Sequence, residues 1–598
     1  MTGSPTRAQV FGVVIGSGWR AGRKWMVHVG GLLVAEAVCS VLYPVGYAVV
    51  VDAYLRHATG ELVAGVGLIA GLYAARWVLA MLAGTGVKPL GDHVALYLSQ
   101  RIAELVSSVP GVEHLERPDY LAELDLLNEN RRLLASGPQQ GLLVLQVLVR
   151  TLGVIVILTA VYPPLALLPL FGIAPFLGER RSVRLRQACE DKIVEEKRLA
   201  DELFELAATA APAKELRLYG LEGELIERHD SLARTVVGNI SSATVRGALW
   251  SSLGWVVFAA GFVGGVATLA LRAVHGAASA GEVVLAVALV QRTQAQVGQL
   301  GNASAQLLTM TTSARRLLWL ENYCSHTAAQ HGEHPPPIRL VHGITLQDVA
   351  FRYPKGDADV LSGVNLSLPA GSSVAIVGEN GAGKSTLVKL LTGMYEPTAG
   401  QVLIDGVPLA DIDLGRWRAR TAALFQDFSK LELLARETIG VGDLPRIEDR
   451  PAIDTAIGRS DAGSLVATLG KGLETPVGAS FSGGTDLSGG QWQRLALART
   501  MMRDDPLLLI LDEPAASLDP LAEAALFDRY AEAAANAATA RGTITLMISH
   551  RFSTVRQAEL IVVLDGGRIV ETGSHDQLLR SGGVYSELYN LQARSYRA

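Results

Sequence analysis

The chain has 598 residues and a mass of 63.4 kDa; 49% of residues are hydrophobic, 19% are charged, and 58 acids against 53 bases give a net charge of −5. With a mean hydropathy of +0.28 it is too apolar for a disordered chain and too weakly charged to grip nucleic acid by bulk electrostatics. Three widely spaced cysteines, Cys39, Cys189 and Cys324, make neither a disulfide framework nor a zinc-ligand spacing.

The apolar excess lies in the first half. Residues 1–24 carry Arg7, Arg20, Arg23 and Lys24 with no acid, and no small-residue cleavage site follows at signal-peptide distance. The positive-inside rule therefore places the N-terminus in the cytoplasm. A helix needs about 20 apolar residues to cross a bilayer. On that measure six spans are expected, over 25–51, 62–83, 141–161, 163–180, 250–271 and 282–302. The fourth needs Pro163 and Pro164 in its first turn, where proline is tolerated. The sixth is the most polar, with Gln291, Arg292, Gln294, Gln296 and Gln299.

Charged, helix-like stretches separate spans two and three, and four and five, as at Glu195-Glu196-Lys197-Arg198. They read as spanning helices continuing far into the cytoplasm. Glu36, Arg76 and Arg150 interrupt the apolar runs. Such groups are either functional, because charge in lipid is costly, or they pair and snorkel near helix ends. The expected membrane domain is 1–324. A linker follows over 325–340, with His326, His331, His334 and Pro335-Pro336-Pro337. The histidines lack a set spacing of partner ligands and read as linker.

The remainder, 341–598, alternates short β-rich and helical runs. Val374-Ala375-Ile376-Val377 is a buried-strand pattern, followed by Gly378-Glu379-Asn380-Gly381-Ala382-Gly383-Lys384-Ser385 and a helical run from Thr386. This G-x-x-x-x-G-K-S in a strand–loop–helix setting is a phosphate loop. Its glycines let successive N–H groups face phosphate oxygens at a helix N-terminus. Lys384 reaches the β- and γ-phosphates, and the Ser385 hydroxyl suits Mg²⁺. A second buried strand, Leu507-Leu508-Leu509-Ile510-Leu511, ends in Asp512 and Glu513. Asp512 suits Mg²⁺, and Glu513 is placed to polarise an attacking water. Between them Leu487-Ser488-Gly489-Gly490-Gln491 opens a helical run, a second anion-binding nest.

Leu-Ser-Gly-Gly-Gln resembles the signature of ATP-binding cassette (ABC) ATPases. The whole chain resembles an exporter-type ABC half-transporter: six membrane helices with long cytoplasmic extensions, then an α/β P-loop NTPase domain. The resemblance implies an adenine-stacking Tyr353, which read alone could be a core aromatic. It also implies a glutamine loop at Gln426 that contacts Mg²⁺, a switch histidine at His550 and a D-loop at Ala516-Ser517-Leu518-Asp519. Thr475-Pro476-Val477-Gly478 resembles the exporter X-loop. Segments 111–118 and 214–221 resemble coupling helices. The D-loop departs from the common Thr-Ser-Ala pattern, reading Ala515-Ala516-Ser517.

The resemblance implies two cassettes packed head to tail, each ATP lying between one subunit's Gly378, Asn380, Gly381, Gly383, Lys384, Ser385 and Thr386 and the other's Ser488, Gly489, Gly490 and Gln491. The expected function is ATP-driven export of a hydrophobic or peptide-like molecule by alternating access across a bacterial inner membrane, with the ATPase domain cytoplasmic. The partner is a second copy or a related half-transporter, and no nucleic acid is expected. Inward transport and lipid flipping are the alternatives within this architecture. A soluble ABC ATPase is disfavoured by the apolar spans, and a channel with an idle ATPase by the intact Glu513 and His550. With no N-terminal Cys/His peptidase pattern, leader-peptide cleavage during export is not expected.

Overall fold

Thr6 opens the first helix with a capping box: its Oγ1 accepts from the Gln9 N–H at 3.4 Å, and its own N–H donates to Gln9 Oε1 at 2.9 Å. The computed structural model describes residues 6–209, 212–328, 332–354, 356–481, 483–514, 541–549 and 551–595. Two units separate, Met1–Val106 with Glu123–Asn322, and Ser107–Ala122 with Tyr323–Ala598.

The first unit is helical: α1 (Arg7–Leu42), α2 (Val45–Leu55), α3 (Thr59–Ser108), α4 (Gly137–Val161), α5 (Ile173–Lys192), α6 (Val194–Ala208), α7 (Glu222–Val274) and α8 (Ala280–Ala328) are its main elements. Among the described residues four stretches are long and apolar enough to cross a membrane: Gly12–Leu55, Thr59–Ser108, Gly137–Val161 and Glu222–Val274. The 50 residues of α3 and 53 of α7 far exceed one crossing, so their charged ends extend beyond lipid, as the sequence implied.

Two expected spans differ. Residues 163–180 are not one helix. Pro163 and Pro164 start a 3₁₀ turn to Leu167, Leu168–Phe171 is a separate short helix, and α5 runs on through Glu179, Arg180 and Arg181 to Lys192. Pro163 and Pro164 do occupy a first turn, and the breaks come further on, where Pro169 and Pro175 have no N–H to donate to the carbonyls of Leu165 and Phe171 four residues back. Residues 282–302 lie inside the longer α8, whose polar groups keep it below spanning hydropathy. The 25–51 span is interrupted at Tyr43-Pro44, between α1 and α2.

Close helix contact in this unit comes from glycine. A Cβ on Gly247 would lie 2.3 Å from Ser182 Oγ, on Gly254 2.5 Å from Pro175 Cα, and on Gly261 2.4 Å from the Phe171 ring. These glycines repeat every seven residues along α7, and they let its backbone approach α5 and the short helix before it.

The second unit carries two sheets. The antiparallel one has the order β2 (Leu361–Pro369), β1 (Gly343–Phe351), β4 (Ala399–Ile404), β5 (Val407–Pro408). The other has the order β10 (Arg568–Gly573), β9 (Leu560–Asp565), β3 (Ser373–Val377), β8 (Ile544–Ile548), β7 (Leu508–Asp512), β6 (Thr421–Leu424), parallel except for β10. Alternate residues of β3 enter opposite cores: Val374 and Ile376 pack with Leu508 and Leu546, while Ala375 and Val377 pack with Leu509 and Leu511. A sheet buried on both faces gives continuous apolar strands, which is why both strands were legible as such.

Residues 107–122, expected within the membrane domain, cluster with this unit. The expected linker is also shorter. Residues 325–328 end α8, and Gly332 and His334 already pair with Ala410 and Asp411 through N–H···O=C bonds of 2.9 and 3.0 Å.

Candidate functional site

The site is built at the carboxyl end of the parallel strands, where open α/β sheets bind ligands. β3 delivers the phosphate loop. Gly378 has φ +155° and no space for a side chain, since a Cβ would lie 2.1 Å from the Leu564 carbonyl oxygen. Gly383 has φ +101° and caps α9 (Lys384–Leu391). Asn380, Gly381 and Ser385 are exposed on the loop and first turn. Lys384 is only 8% exposed, and its Nζ donates to the carbonyls of Gly378 and Glu379, both at 2.8 Å. Burial pushes its pKa down, and the nearby charges of Glu513 and Asp512 oppose that fall.

Asp512 ends β7, one strand removed from β3 across β8, and is 4% exposed. Burial, with Glu513 and Asp427 nearby, raises its pKa to about 6; Lys384 pulls the other way. Glu513 follows with φ +48°, a left-handed conformation that a glutamate rarely holds. Contacts on its N–H, its carbonyl and its carboxylate help to fix it. Its N–H donates to Ile548 O at 3.0 Å, its carbonyl accepts from Gln493 Nε2 at 3.0 Å, and its Oε2 accepts from Gln426 Nε2 at 3.2 Å. Strain held this way is typical of functional positions. The structure thus brings Lys384, Asp512, Glu513 and Gln426 together.

Mg²⁺ needs hard oxygen donors, few of them from the protein when phosphates supply the rest. A Ser385 hydroxyl, an Asp512 carboxylate and a Gln426 amide oxygen fit that need. No group of three or more His, Cys, Asp or Glu that could hold a metal ion occurs among the described residues.

Tyr353 is anchored rather than free to swing. Its hydroxyl pairs with Thr386 Oγ1 at 3.0 Å, and its ring meets Phe351 and Tyr395 edge-on at 4.9 and 5.5 Å. Ser488 caps α10 (Gly489–Thr500) in a capping box with Gln491, with Ser488 N–H to Gln491 Oε1 at 2.8 Å. Ser488 and Gly489 are exposed, and a Cβ on Gly489 would meet nothing within 4 Å. Among the described residues no hydrogen bond links Ser488 or Gln491 to the phosphate loop of the same chain. Thr475-Pro476-Val477-Gly478 is pinned by backbone bonds from Ala435, to Leu433 and to Thr485, with Val477 fully buried. His550, Asp519 and the rest of the D-loop lie outside the described residues.

Several contacts were not read from the sequence, those of Gln493 with Glu513 and of Glu116 with Lys389 among them. Gln493, two residues past the signature, is buried and holds the Glu513 carbonyl. Segment 111–118 docks onto the phosphate-loop helix through Lys389 and Tyr395. Val112 N–H donates to Met394 O at 3.1 Å, Lys389 Nζ reaches Glu116 at 3.0 Å, and the Tyr395 hydroxyl donates to the other Glu116 oxygen. Burial would raise the Glu116 carboxyl, but these two donors hold it below its ordinary value. Lys389 Nζ also lies 5.4 Å from the Tyr353 ring centre, in cation–π range. In segment 214–221, a helix from Ala213 to Tyr219 ends at left-handed Gly220, and Leu218 and Tyr219 are 76% and 69% exposed.

Residues 361–516 match the family described as "ABC transporter". Over 257 residues the chain is 37% identical to the subtilin transport ATP-binding protein SpaT of Bacillus subtilis, covering 43% of this chain and 41% of that one. Over 542 residues it is 29% identical to the mycobactin import ATP-binding/permease protein IrtB of Mycolicibacterium smegmatis, covering 88% of each. Several other curated relatives are matched over only part of their length, from 39% to 64%. A solved structure of a bacterial Atm1-family ABC exporter with ATP bound superposes with a TM-score of 0.76 at 24% identity, over 96% of this chain and 99% of that one.

Proposed function

Because residues 361–516 match the ABC transporter family model and the chain has the fold of a solved ABC exporter, we propose that this protein is a membrane half-transporter. In this reading it hydrolyses ATP to export a hydrophobic or peptide-like molecule across a bacterial inner membrane, with the N-terminus and the ATPase domain in the cytoplasm. The observation that carries the reading is the division of the site. Lys384, Asp512, Glu513 and Gln426 converge within one chain, while Ser488 and Gly489 are exposed and, among the described residues, make no hydrogen bond to that chain's phosphate loop. A second copy placed head to tail completes two sites.

The chemistry follows from the residues. Lys384 gives up its loop carbonyls for β- and γ-phosphate oxygens, a gain because charge-assisted bonds are the stronger ones. Glu513, held by Gln493 and Gln426, takes the proton of the attacking water. His550 would hold the γ-phosphate. Ser385, Asp512 and Gln426 would hold Mg²⁺, which neutralises charge on the β- and γ-phosphates. Tyr353 offers adenine one ring face. Segment 111–118 would relay the state of the nucleotide through Glu116, and the exposed Leu218 and Tyr219 suit docking of the second coupling segment on a cassette.

A relative named for subtilin transport gives no direction, while one named for mycobactin import favours inward transport. Transport in inverted vesicles against whole cells tests this. ATP-dependent accumulation in inverted vesicles supports export, and uptake into cells with none into vesicles would sink it.

A further inference from the structure

The intramembrane charges form one cluster drawn from four helices. Glu36 of α1 is 1% exposed and receives three partners: Arg76 of α3 at 3.1 Å, Gln146 of α4 at 2.8 Å, and Arg150 of α4. Arg292 of α8 joins through the Tyr43 ring. Its guanidinium lies 3.8 Å from the ring centre, and that of Arg76 lies 5.9 Å from the same centre. Arg292 also donates to the carbonyl and hydroxyl of Ser40.

Three arginines face one carboxylate. Among the described residues Arg76 and Arg150 pair only with Glu36, and Arg292 has no carboxylate partner. Arg150 Nε is buried without an acceptor. Guanidinium does not deprotonate in proteins, so the cluster keeps two positive charges in excess where charge is most costly. Interactions across a low dielectric are strong, so an anion of matching charge is strongly attracted there. Guanidinium forks suit phosphate and carboxylate. An apolar cavity of about 170 Å³ is lined by Val147, Thr151, Phe176, Thr293, Gln296 and Val297. Val147 stands one turn before Arg150 on α4 and Gln296 one turn after Arg292 on α8, so the two arginines share helix faces with cavity-lining residues.

We propose that Arg76, Arg150 and Arg292 bind the anionic group of the transported molecule, an amphiphile carrying a phosphate or paired carboxylates, with its apolar part in the adjoining cavity. Glu36 holds the place of that anion between transport events, and the ligand displaces it from Arg76 and Arg150. The proposal rests on the transporter reading and supplies its substrate class.

The test uses the full chain in nanodiscs of zwitterionic lipid, with hexadecyl phosphate, hexadecanol and inorganic phosphate as probes. Binding and probe-stimulated ATP hydrolysis are read in the same samples. Hexadecyl phosphate should bind about tenfold or more tighter than hexadecanol, and Arg150→Gln and Arg292→Gln should each erase about that factor. Glu36→Gln, which removes the competing carboxylate, should bind hexadecyl phosphate at least as tightly as the parent. Should Arg150→Gln fail to fold, Arg292→Gln leaves the Glu36 pairs in place and carries the test. Equal affinity for the phosphate and the alcohol, or loss of binding in Glu36→Gln, would overturn the proposal. Displacement by millimolar inorganic phosphate as readily as by the amphiphile would overturn the amphiphile and leave a soluble anion. Basal ATP hydrolysis separates the two readings: its absence counts against the transporter, whereas intact hydrolysis without head-group preference counts against this site alone.

Discussion

The amide of Gln493 holds the backbone carbonyl of Glu513 at 3.0 Å, tying the helix that begins at the signature to the residue that would activate water. Glu513 sits at φ +48° and needs such a tie, because an unstrained backbone would carry its carboxylate elsewhere. Gln493→Leu should lower kcat for ATP about tenfold or more and leave KM within about twofold, since misplacement of a reacting group is costly while binding contacts persist. Steady-state ATPase assays check this. Equal losses in kcat and affinity would assign Gln493 a structural role only.

Glu513→Gln should abolish turnover and retain ATP binding. The trapped species should run as an ATP-dependent dimer in size-exclusion chromatography. Near-normal hydrolysis in this variant would remove Glu513 from the role of base.

Asp512 gives a pH dependence with a definite sign. Its folded pKa, raised to about 6, exceeds that of an unfolded aspartate, so the folded chain binds this proton more tightly. Its contribution therefore favours folding at acid pH and fades as pH rises through about 6. Without Mg²⁺, Asp512→Asn should stabilise the fold at pH 7.5 by on the order of 2 kcal/mol, read as a higher melting temperature, with little change at pH 4. Mg²⁺ needs the ionised carboxylate, so its affinity for the parent should fall as pH drops through about 6. Calorimetric melts across pH, with and without the ion, check both.

Glu116 and Lys389 predict a separation of hydrolysis from transport. Their bridge spans 3.0 Å with side chains 43% and 30% exposed, so its loss should cost stability only about 1 kcal/mol or less. Glu116→Gln should keep ATP hydrolysis within about twofold and reduce transport per ATP severalfold, because the contact transmits rather than reacts. The swap Glu116→Lys with Lys389→Glu should restore part of the transport. Parallel loss of both activities would argue against a transmitting role.

Gly254→Val should destabilise the helical unit by several kcal/mol, since its Cβ would press on the Pro175 Cα, a backbone atom that cannot turn aside. A lower thermal midpoint in detergent, with ATP binding by the second unit preserved, is the expected result.

The residues of the candidate nucleotide site could be singled out in the sequence because their signals are local. Glycines at fixed offsets, a strand ending in Asp512 and a cap at Ser488 each carry their own signal. Gln493 carried none, since its partner lies 20 residues on and only the folded sheet brings them together. The same holds for Glu116, 273 residues from Lys389. Hydropathy read 163–180 as one apolar run and did not register Pro169 and Pro175, which divide it into shorter helices. The four charges at Glu36, Arg76, Arg150 and Arg292 were visible singly, but their excess of positive charge became countable only once assembled.

The 53 residues of α7 form a rod roughly 80 Å long. Such a length is a mechanical gear. Tilting it by about 10° sweeps its far end through roughly 14 Å, several times the displacement that a released phosphate produces directly. A small rearrangement at one end thereby becomes a passage-sized one at the other, and the stiffness of an unbroken helix decides how little of that stroke is lost on the way.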